Sequence, residues 1–253
     1  MLFKKNKLTV KVYPTSLEMA RHAMLDVSVR IKELLKEKES INMIFAAAPS
    51  QTEFLSELVS QKDIEWNRIN AFHMDEYIGL GEDAPQKFGN YLKENIFSLL
   101  PFRHVYYLDG QESAEKECER YAKLLIQFPV DIVCLGIGEN GHIAFNDPHV
   151  ADFNDTALVK VVNLDEVCRQ QQVNDKCFNH LGEVPSHALT LTIPALTRAS
   201  YMYCVVPFHS KACAVYKTLN EEISETCPAS ILRTKEYATL YLDNESSSLL
   251  ELT

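Results

Sequence analysis

The chain has 253 residues and 46% hydrophobic content, enough to enclose one large core. Lys plus Arg number 25 against 35 Asp plus Glu, a net charge of −10 that opposes nucleic acid or an anionic membrane as partner. A small phosphorylated metabolite stays within reach, because a few local cations and backbone N–H groups can hold one phosphate.

The elements follow in chain order. Ser16 to Lys38 carries Leu17, Ala20, Met24, Val27, Ile31, Leu34 and Leu35 at helical spacing. Ile41 to Ala47 reads as a buried strand, Thr52 to Ser60 as a helix, and Arg68 to Met74 as a strand. Helices are predicted over Pro85 to Leu99 and Glu112 to Phe128, with a strand at Val130 to Leu135. Further strands fall at Leu158 to Val162, Ala188 to Ile193, Tyr201 to Val206 and Ala238 to Leu242. Helices complete the pattern at His209 to Asn220 and about Pro228 to Leu232. Strand and helix alternating along the whole length mean an α/β fold with a mostly parallel sheet. There is no repeat, low-complexity tract or Pro/Gly-rich linker, so residues 1–253 read as a single domain.

No apolar run approaches the ~20 residues of a membrane span, and MLFKKNKLTV lacks a signal peptide's apolar segment. Cys118, Cys134, Cys168, Cys177, Cys204, Cys213 and Cys227 are scattered, and none forms Cys-x-x-Cys. Reduced thiols in a cytoplasmic protein are the expectation.

In parallel sheets ligands bind at the carboxyl ends of strands, so three loops there carry the functional reading. In the first, Ala46-Ala-Ala-Pro-Ser-Gln-Thr-Glu-Phe, Ser50 or Thr52 caps the next helix, either as an ordinary cap or with free N–H groups that suit a phosphate. In the second, Phe72-His-Met-Asp-Glu-Tyr-Ile-Gly-Leu, two carboxylates, Asp75 and Glu76, are adjacent. Neighbours in a strand face opposite sides, so one can enter a pocket. There, partly removed from water, it can act as a base on a C–H next to a carbonyl. A solvated acidic turn is the plainer alternative. The third, Gly136-Ile-Gly-Glu-Asn-Gly-His-Ile-Ala-Phe-Asn-Asp-Pro, matches the G-x-G-x-x-G of dinucleotide sites. Asn146-Asp147-Pro148 interrupts the helix such a site requires, and the loop lies in mid-chain. His142 beside Asn140 and Asp147 suggests an oriented imidazole suited to proton transfer, although a structural histidine would also fit.

Together, these loops with Val184-Pro-Ser-His-Ala-Leu-Thr-Leu-Thr, Ser210-Lys-Ala and Ile223-Ser-Glu-Thr-Cys-Pro-Ala-Ser resemble the glucosamine-6-phosphate deaminase (isomerase) family, over roughly residues 10–245. The related 6-phosphogluconolactonases share the Gly-x-x-Gly-His loop but typically continue to Ser-Leu-Phe-Pro. Here Ala144-Phe145-Asn146-Asp147-Pro148 follows the deaminase form.

The resemblance implies a three-layer α/β/α sandwich with a mostly parallel, Rossmann-like sheet, and a reaction needing no cofactor or metal. In that reaction an amino-sugar 6-phosphate is opened, isomerised through an enolamine, and hydrolysed to a ketose 6-phosphate and ammonia. Carried onto this chain, Asp75 moves the proton between C2 and C1, and His142 acts on the ring oxygen. Asn140 and Asp147 orient His142, while Lys211 and Lys176 bind phosphate, Lys176 from a flexible lid at about 165–184. Ser50, Gln51, Thr52, Glu76 and Gly138 complete the expected binding set. Alternatives are a 6-phosphogluconolactonase-like hydrolase and a non-catalytic sugar-phosphate sensor. The sensor is disfavoured because the chain begins almost at its first strand, without a helix-turn-helix. Family members include monomers and larger assemblies, so the reading leaves self-association open.

Three departures stand out. The family's usual Gly-Gly-Thr-Pro is here Pro49-Ser50-Gln51-Thr52-Glu53, which suggests a side-chain contribution to the anion and makes Gln51 a place to discriminate C4 epimers. Lys176 stands where many members have arginine. Asp147 replaces the usual glutamate and is one methylene shorter, which leaves open whether it reaches His142 directly or through a longer or water-bridged contact.

Overall fold

The computed structural model describes residues 1–111 and 113–251. The elements run β1 (Leu2–Lys5), β2 (Leu8–Tyr13), α1 (Ser16–Glu37), β3 (Ile41–Phe45), α2 (Thr52–Val59), β4 (Ile69–His73), β5 (Asp75–Tyr77), α3 (Phe88–Leu92), β6 (His104–Tyr106), α4 (Ala114–Gln127) and β7 (Ile132–Leu135). They continue with β8 (Val159–Asn163), α5 (Glu166–Asn174), β9 (His187–Leu191), α6 (Ile193–Thr197), β10 (Tyr201–Val206), α7 (Ala212–Asn220) and β11 (Ala238–Asp243).

The main sheet has the order β1-β2-β11-β10-β7-β3-β4-β6. Every pairing in it is parallel except β1 with β2. Period-two alternation sorts side chains into two cores. Ile41, Met43, Phe45, Ile132 and Cys134 face the apolar side chains of α1 and α2. Ile44, Val133 and Leu135 face those of α4 and α7. The result is the expected α/β/α layering with helices on both faces.

α1 forms because Met19, Ala20, Ala23, Met24, Val27, Ile31 and Leu35 recur every three or four residues on its buried face. Its start is fixed by Thr15, whose hydroxyl accepts from the Glu18 N–H at 3.2 Å.

Three expectations are corrected. β8 and β9 do not extend the main sheet; with β5 they form a separate antiparallel sheet, β5-β9-β8. The helix expected over 85–99 starts at Phe88 and changes at Lys93 into a π-type turn ending at Phe97. The helix expected over 228–232 is a 3-10 segment, Pro228–Thr234. Residue 112, the expected start of another helix, lies outside the described residues. Among the described residues no helix is long and apolar enough to cross a membrane. The seven cysteines are free thiols.

After β3 the chain moves to β4 on one side, and β7 then enters on β3's other side and leads to β10. The junction of β3 and β7 is therefore the switch point of the sheet, where the loops at the strand ends splay apart and leave a crevice.

Candidate active site

A cavity of about 410 Å³ occupies that crevice. It is walled by Ala46 to Gln51 after β3, Asp75 after β4, Gly136 to Gly138 and His142 after β7, and Phe208 and Lys211 after β10. Pro85, Phe88 and Tyr91 add an apolar side, and Gln171, Gln172, Asp175, Lys176 and Cys177 from 165–184 close another. The volume suits one small ligand.

Asp75 is 7% exposed and lines the cavity. Its carboxyl makes no hydrogen bond or ion pair with the described residues. Burial, and secondly the neighbouring Glu76 charge, push its proton affinity well above the usual carboxylate range. Its main chain is fixed by His73, a residue the sequence reading did not single out. His73 Nε2 accepts from the Leu108 N–H at 2.9 Å, so Nδ1 carries the hydrogen and donates to the Asp75 carbonyl at 2.9 Å. Burial pulls His73 down to about 4, keeping it neutral. The Tyr121 hydroxyl accepts from the His73 N–H at 3.0 Å and donates to its carbonyl at 2.9 Å.

Glu76 takes no place on the cavity wall, contrary to its expected binding role. Strand alternation turns it the other way, where it accepts from Tyr77, Phe88 and Gly89 N–H groups at 2.9, 3.1 and 2.9 Å. Burial outweighs those three donors and lifts Glu76 to about 7.

The loop after β7 turns at Gly141, whose φ of +87° lies in the left-handed region. His142 is 8% exposed and reaches the cavity. The Asn140 Oδ1 accepts from the His142 backbone N–H at 3.0 Å, which leaves the Asn140 Nδ2 to donate to Asp147 Oδ1 at 2.8 Å. His142 Nδ1 is 2.8 Å from Asn140 Oδ1 and 2.9 Å from Asp147 Oδ1. Facing two acceptors, Nδ1 carries a hydrogen, which leaves Nε2 as the nitrogen available for proton exchange. Burial would raise Asp147, but His142, Asn140 and Cys168 together outweigh it and hold the carboxyl at about 2.

The short aspartate thus reaches His142 directly. The loop that carries it is fixed by Asn146 Nδ2, which donates to the carbonyls of Ile143 at 2.9 Å and Leu191 at 2.8 Å, and by Ala144, which turns back with φ +50°. Gly138, expected to bind ligand, lines the cavity and also gives the imidazole its room. A Cβ there would lie 2.1 to 2.4 Å from three His142 ring atoms.

Lys211 is 5% exposed and lines the cavity, and its ammonium has no ion-pair or hydrogen-bond partner among the described residues. Burial lowers its proton affinity, partly offset by Asp175 and Glu139. Lys176 is exposed and also lines the cavity, with φ +61°. Ser50 and Gln51 line it too, but Gln51 is 1% exposed, and its Nε2 donates to the Val205 carbonyl at 3.0 Å and to Ser50 Oγ at 3.3 Å. The Gln51 amide nitrogen therefore ties the β3 loop to β10. Thr52 lies off the wall, bonded to the Tyr91 hydroxyl at 2.8 Å.

His142, Asp147 and Cys168 bring nitrogen, oxygen and sulfur atoms within 4.8 Å of one another, as a metal site would. The Nδ1 hydrogen faces acceptors there, so the arrangement fits a hydrogen-bonded chain better than a set of metal ligands.

A family model described as glucosamine-6-phosphate isomerases/6-phosphogluconolactonase matches residues 14–241. A glucosamine-6-phosphate deaminase of Bacillus cereus (strain B4264) is 35% identical over 220 residues, 87% of this chain and 82% of the relative. One from Bacillus thuringiensis (strain Al Hakam) is 34% identical over 220 residues, with the same 87% and 82% coverage. Among solved structures, a monomeric glucosamine-6-phosphate deaminase aligns with TM-score 0.86 at 29% identity, covering 95% of this chain and 99% of that one. The 6-phosphogluconolactonase from Thermotoga maritima, at 22% identity and TM-score 0.77 over 93% and 99% of the two chains, shares the fold. With the match spanning β3 to β11 and every loop of the cavity, the chain belongs to the glucosamine-6-phosphate isomerase/6-phosphogluconolactonase family.

Proposed function

We propose that the protein is an enzyme of the glucosamine-6-phosphate deaminase type, converting a 2-amino-2-deoxyhexose 6-phosphate and water into a ketose 6-phosphate and ammonia. The carrying observation is a pair of buried, unpartnered groups of opposite kind lining one cavity, the Asp75 carboxyl and the Lys211 ammonium. An amino-sugar phosphate is a zwitterion and meets both needs, its ammonium at Asp75 and its phosphate at Lys211. A phosphogluconolactone carries only the anion and leaves Asp75 unpartnered. That difference favours the deaminase over the hydrolase.

The residues divide the work by chemistry. His142, with Nδ1 anchored on Asn140 and Asp147, presents Nε2 to the ring oxygen and hydroxyl of the closed sugar, and the ring opens. The arriving ammonium draws Asp75 towards its ionised form. Asp75 then takes the C2 proton, giving the enolamine, and returns it to C1. Water adds to the resulting C2 imine and ammonia leaves. Lys211, Lys176 and the turn at Ser50 hold the phosphate, and segment 165–184 acts as a lid over the cavity within a single domain. The reduced cysteines suit a cytosolic setting.

The test is ammonia release by purified protein from glucosamine 6-phosphate and galactosamine 6-phosphate, which also assigns the epimer. Release from at least one is expected. No release from either, by folded protein that binds both, would overturn the proposal.

A further inference from the structure

Asp147 Oδ1 is fully engaged, accepting from Asn140 and facing His142 Nδ1. Asp147 Oδ2 is buried and has no hydrogen-bond partner among the described residues. A carboxylate oxygen in that position destabilises the site unless some donor approaches it.

Cys168 stands close to this carboxylate. It lies in the first turn of α5, is 1% exposed, and its sulfur is within 4.8 Å of donor atoms of both Asp147 and His142. Its own backbone N–H is taken by the Asp165 cap at 2.7 Å, which leaves the thiol as the hydrogen it can offer. Gln171, three residues on and therefore on the same helix face, accepts from the Glu139 N–H at 3.0 Å. One face of α5 is thus seated on the β7 loop at two places. Burial, reinforced by Asp147, pushes the Cys168 thiol far up, so it remains S–H and can donate.

We infer that Cys168 is a positioning residue for the proposed reaction: its thiol donates to Asp147 Oδ2, so the lid helix α5 supplies the last member of the His142–Asn140–Asp147 chain. The donor acts through its neighbours. With Oδ2 satisfied, Asp147 keeps a fixed orientation and a moderated negative charge, and His142 Nδ1 is held at one angle. This inference rests on the deaminase reading for its kinetic arm only.

The experiment compares Cys168→Ala, which removes the donor, with Cys168→Ser, which keeps one. The first readout is the proton resonance of the His142 Nδ1–H at fixed pH in ligand-free protein. Losing the thiol donor concentrates charge on the carboxylate, strengthens the N–H···O contact and moves this proton downfield in Cys168→Ala. In Cys168→Ser it returns towards the position of the unaltered protein. The second readout is steady-state ammonia release. Cys168→Ala is expected to lower kcat about fivefold with KM little changed, and Cys168→Ser to recover most of it. An unmoved resonance in Cys168→Ala, or equal effects of both variants on resonance and kcat, overturns the inference, the latter because it reports packing alone. If the unaltered protein releases no ammonia, the deaminase reading fails while the resonance still decides whether the thiol donates.

Discussion

Substituting Gly138→Ala tests how far His142 depends on the space above the loop backbone. The added methyl would lie 2.1 Å from Cε1, 2.2 Å from Nε2 and 2.4 Å from Nδ1. Carbon contacts settle near 3.5 Å, so the ring must retreat by about 1 Å. The backbone cannot yield instead, because the Gly138 N–H donates to the His142 carbonyl at 2.9 Å and its carbonyl accepts from Gly141 at 3.0 Å. Nor does backbone strain confuse the result, since only Gly79 and Gly141 among the described glycines have positive φ. A ring displaced that far loses at least one of its 2.8 and 2.9 Å Nδ1 contacts. Misplacement of about 1 Å is worth ~10²-fold in rate, and a lost hydrogen bond to a charged group about 1.5–3 kcal/mol of stability. In an ammonia-release assay kcat should therefore fall ~10²-fold with KM altered little, because the Lys211 side of the cavity is untouched. Thermal unfolding should show a Tm lower by roughly 2–4 °C per kcal/mol lost. A folded variant with kcat within about threefold of the unaltered protein would refute the account, for it would show that the ring need not stand there.

Three further outcomes are expected. Asp75→Asn keeps shape but removes the base, so turnover should fall by ~10³-fold or more while calorimetry still detects sugar-phosphate binding; retained turnover would reassign the base. Lys211→Met should weaken sugar-phosphate binding by about 10-fold or more, yet raise Tm in the ligand-free protein, because a buried unpartnered ammonium is replaced by an apolar chain; unchanged affinity would remove Lys211 from the anion site. His73 binds a proton at about 4 when folded but near the ordinary 6.5 when unfolded. Stability is therefore fully present above about pH 6.5 and lost as pH falls towards 4, by up to about 3 kcal/mol, which urea titrations at several pH values would reveal. His73→Gln melts that keep the same acid slope would refute the assignment.

The central strands were legible because apolar residues dominate each of them, and β10 is found at the predicted residues, Tyr201–Val206. β1, β2 and β6 were not. Leu2–Lys5 ends in two lysines, Leu8–Tyr13 is broken by Thr9 and Lys11, and His104–Tyr106 is a three-residue edge strand. β5 is Asp75-Glu76-Tyr77, three polar or amphipathic residues whose strand character comes from pairing with β9, a partner more than a hundred residues away. Asp75 and His142 were readable from their loops. So were Asn140 and Asp147 as supports of His142. The support of Asp75 was not: His73 looked like one more strand residue, and its ring bonds depend on Leu108 and on the turn at Asp75. Strand alternation was the signal that could have separated Asp75 from Glu76, since it sends one carboxylate to the cavity and the other to the α3 amides. The Asp147 distance was not readable because side-chain length alone does not set it: the backbone position does, and that depends on long-range bonds such as Asn146 to the Leu191 carbonyl.

An overall charge of −10 is a poor guide to a site proposed to hold an anion, and the burial of its charged groups gives the reason. At ~10 Å screening lengths, surface carboxylates contribute little inside a cavity, while one buried ammonium without a counterion contributes a great deal. The same holds with opposite sign for Asp75 once an arriving ammonium draws it into its ionised form. Charge complementarity then makes a directional statement about the proposed reaction. The substrate brings a cation to Asp75 and an anion to Lys211, but once ammonia leaves, the ketose phosphate satisfies only Lys211. The product should therefore bind more weakly than the substrate, and an open-chain 2-amino hexitol 6-phosphate should bind more tightly than its 2-hydroxy counterpart. The difference should be about 10-fold or more, for one buried charge-assisted contact. The advantage should vanish in Asp75→Asn but persist in Lys211→Met. Equal affinity of the two hexitols for the unaltered protein would mean that Asp75 does not meet the amino group.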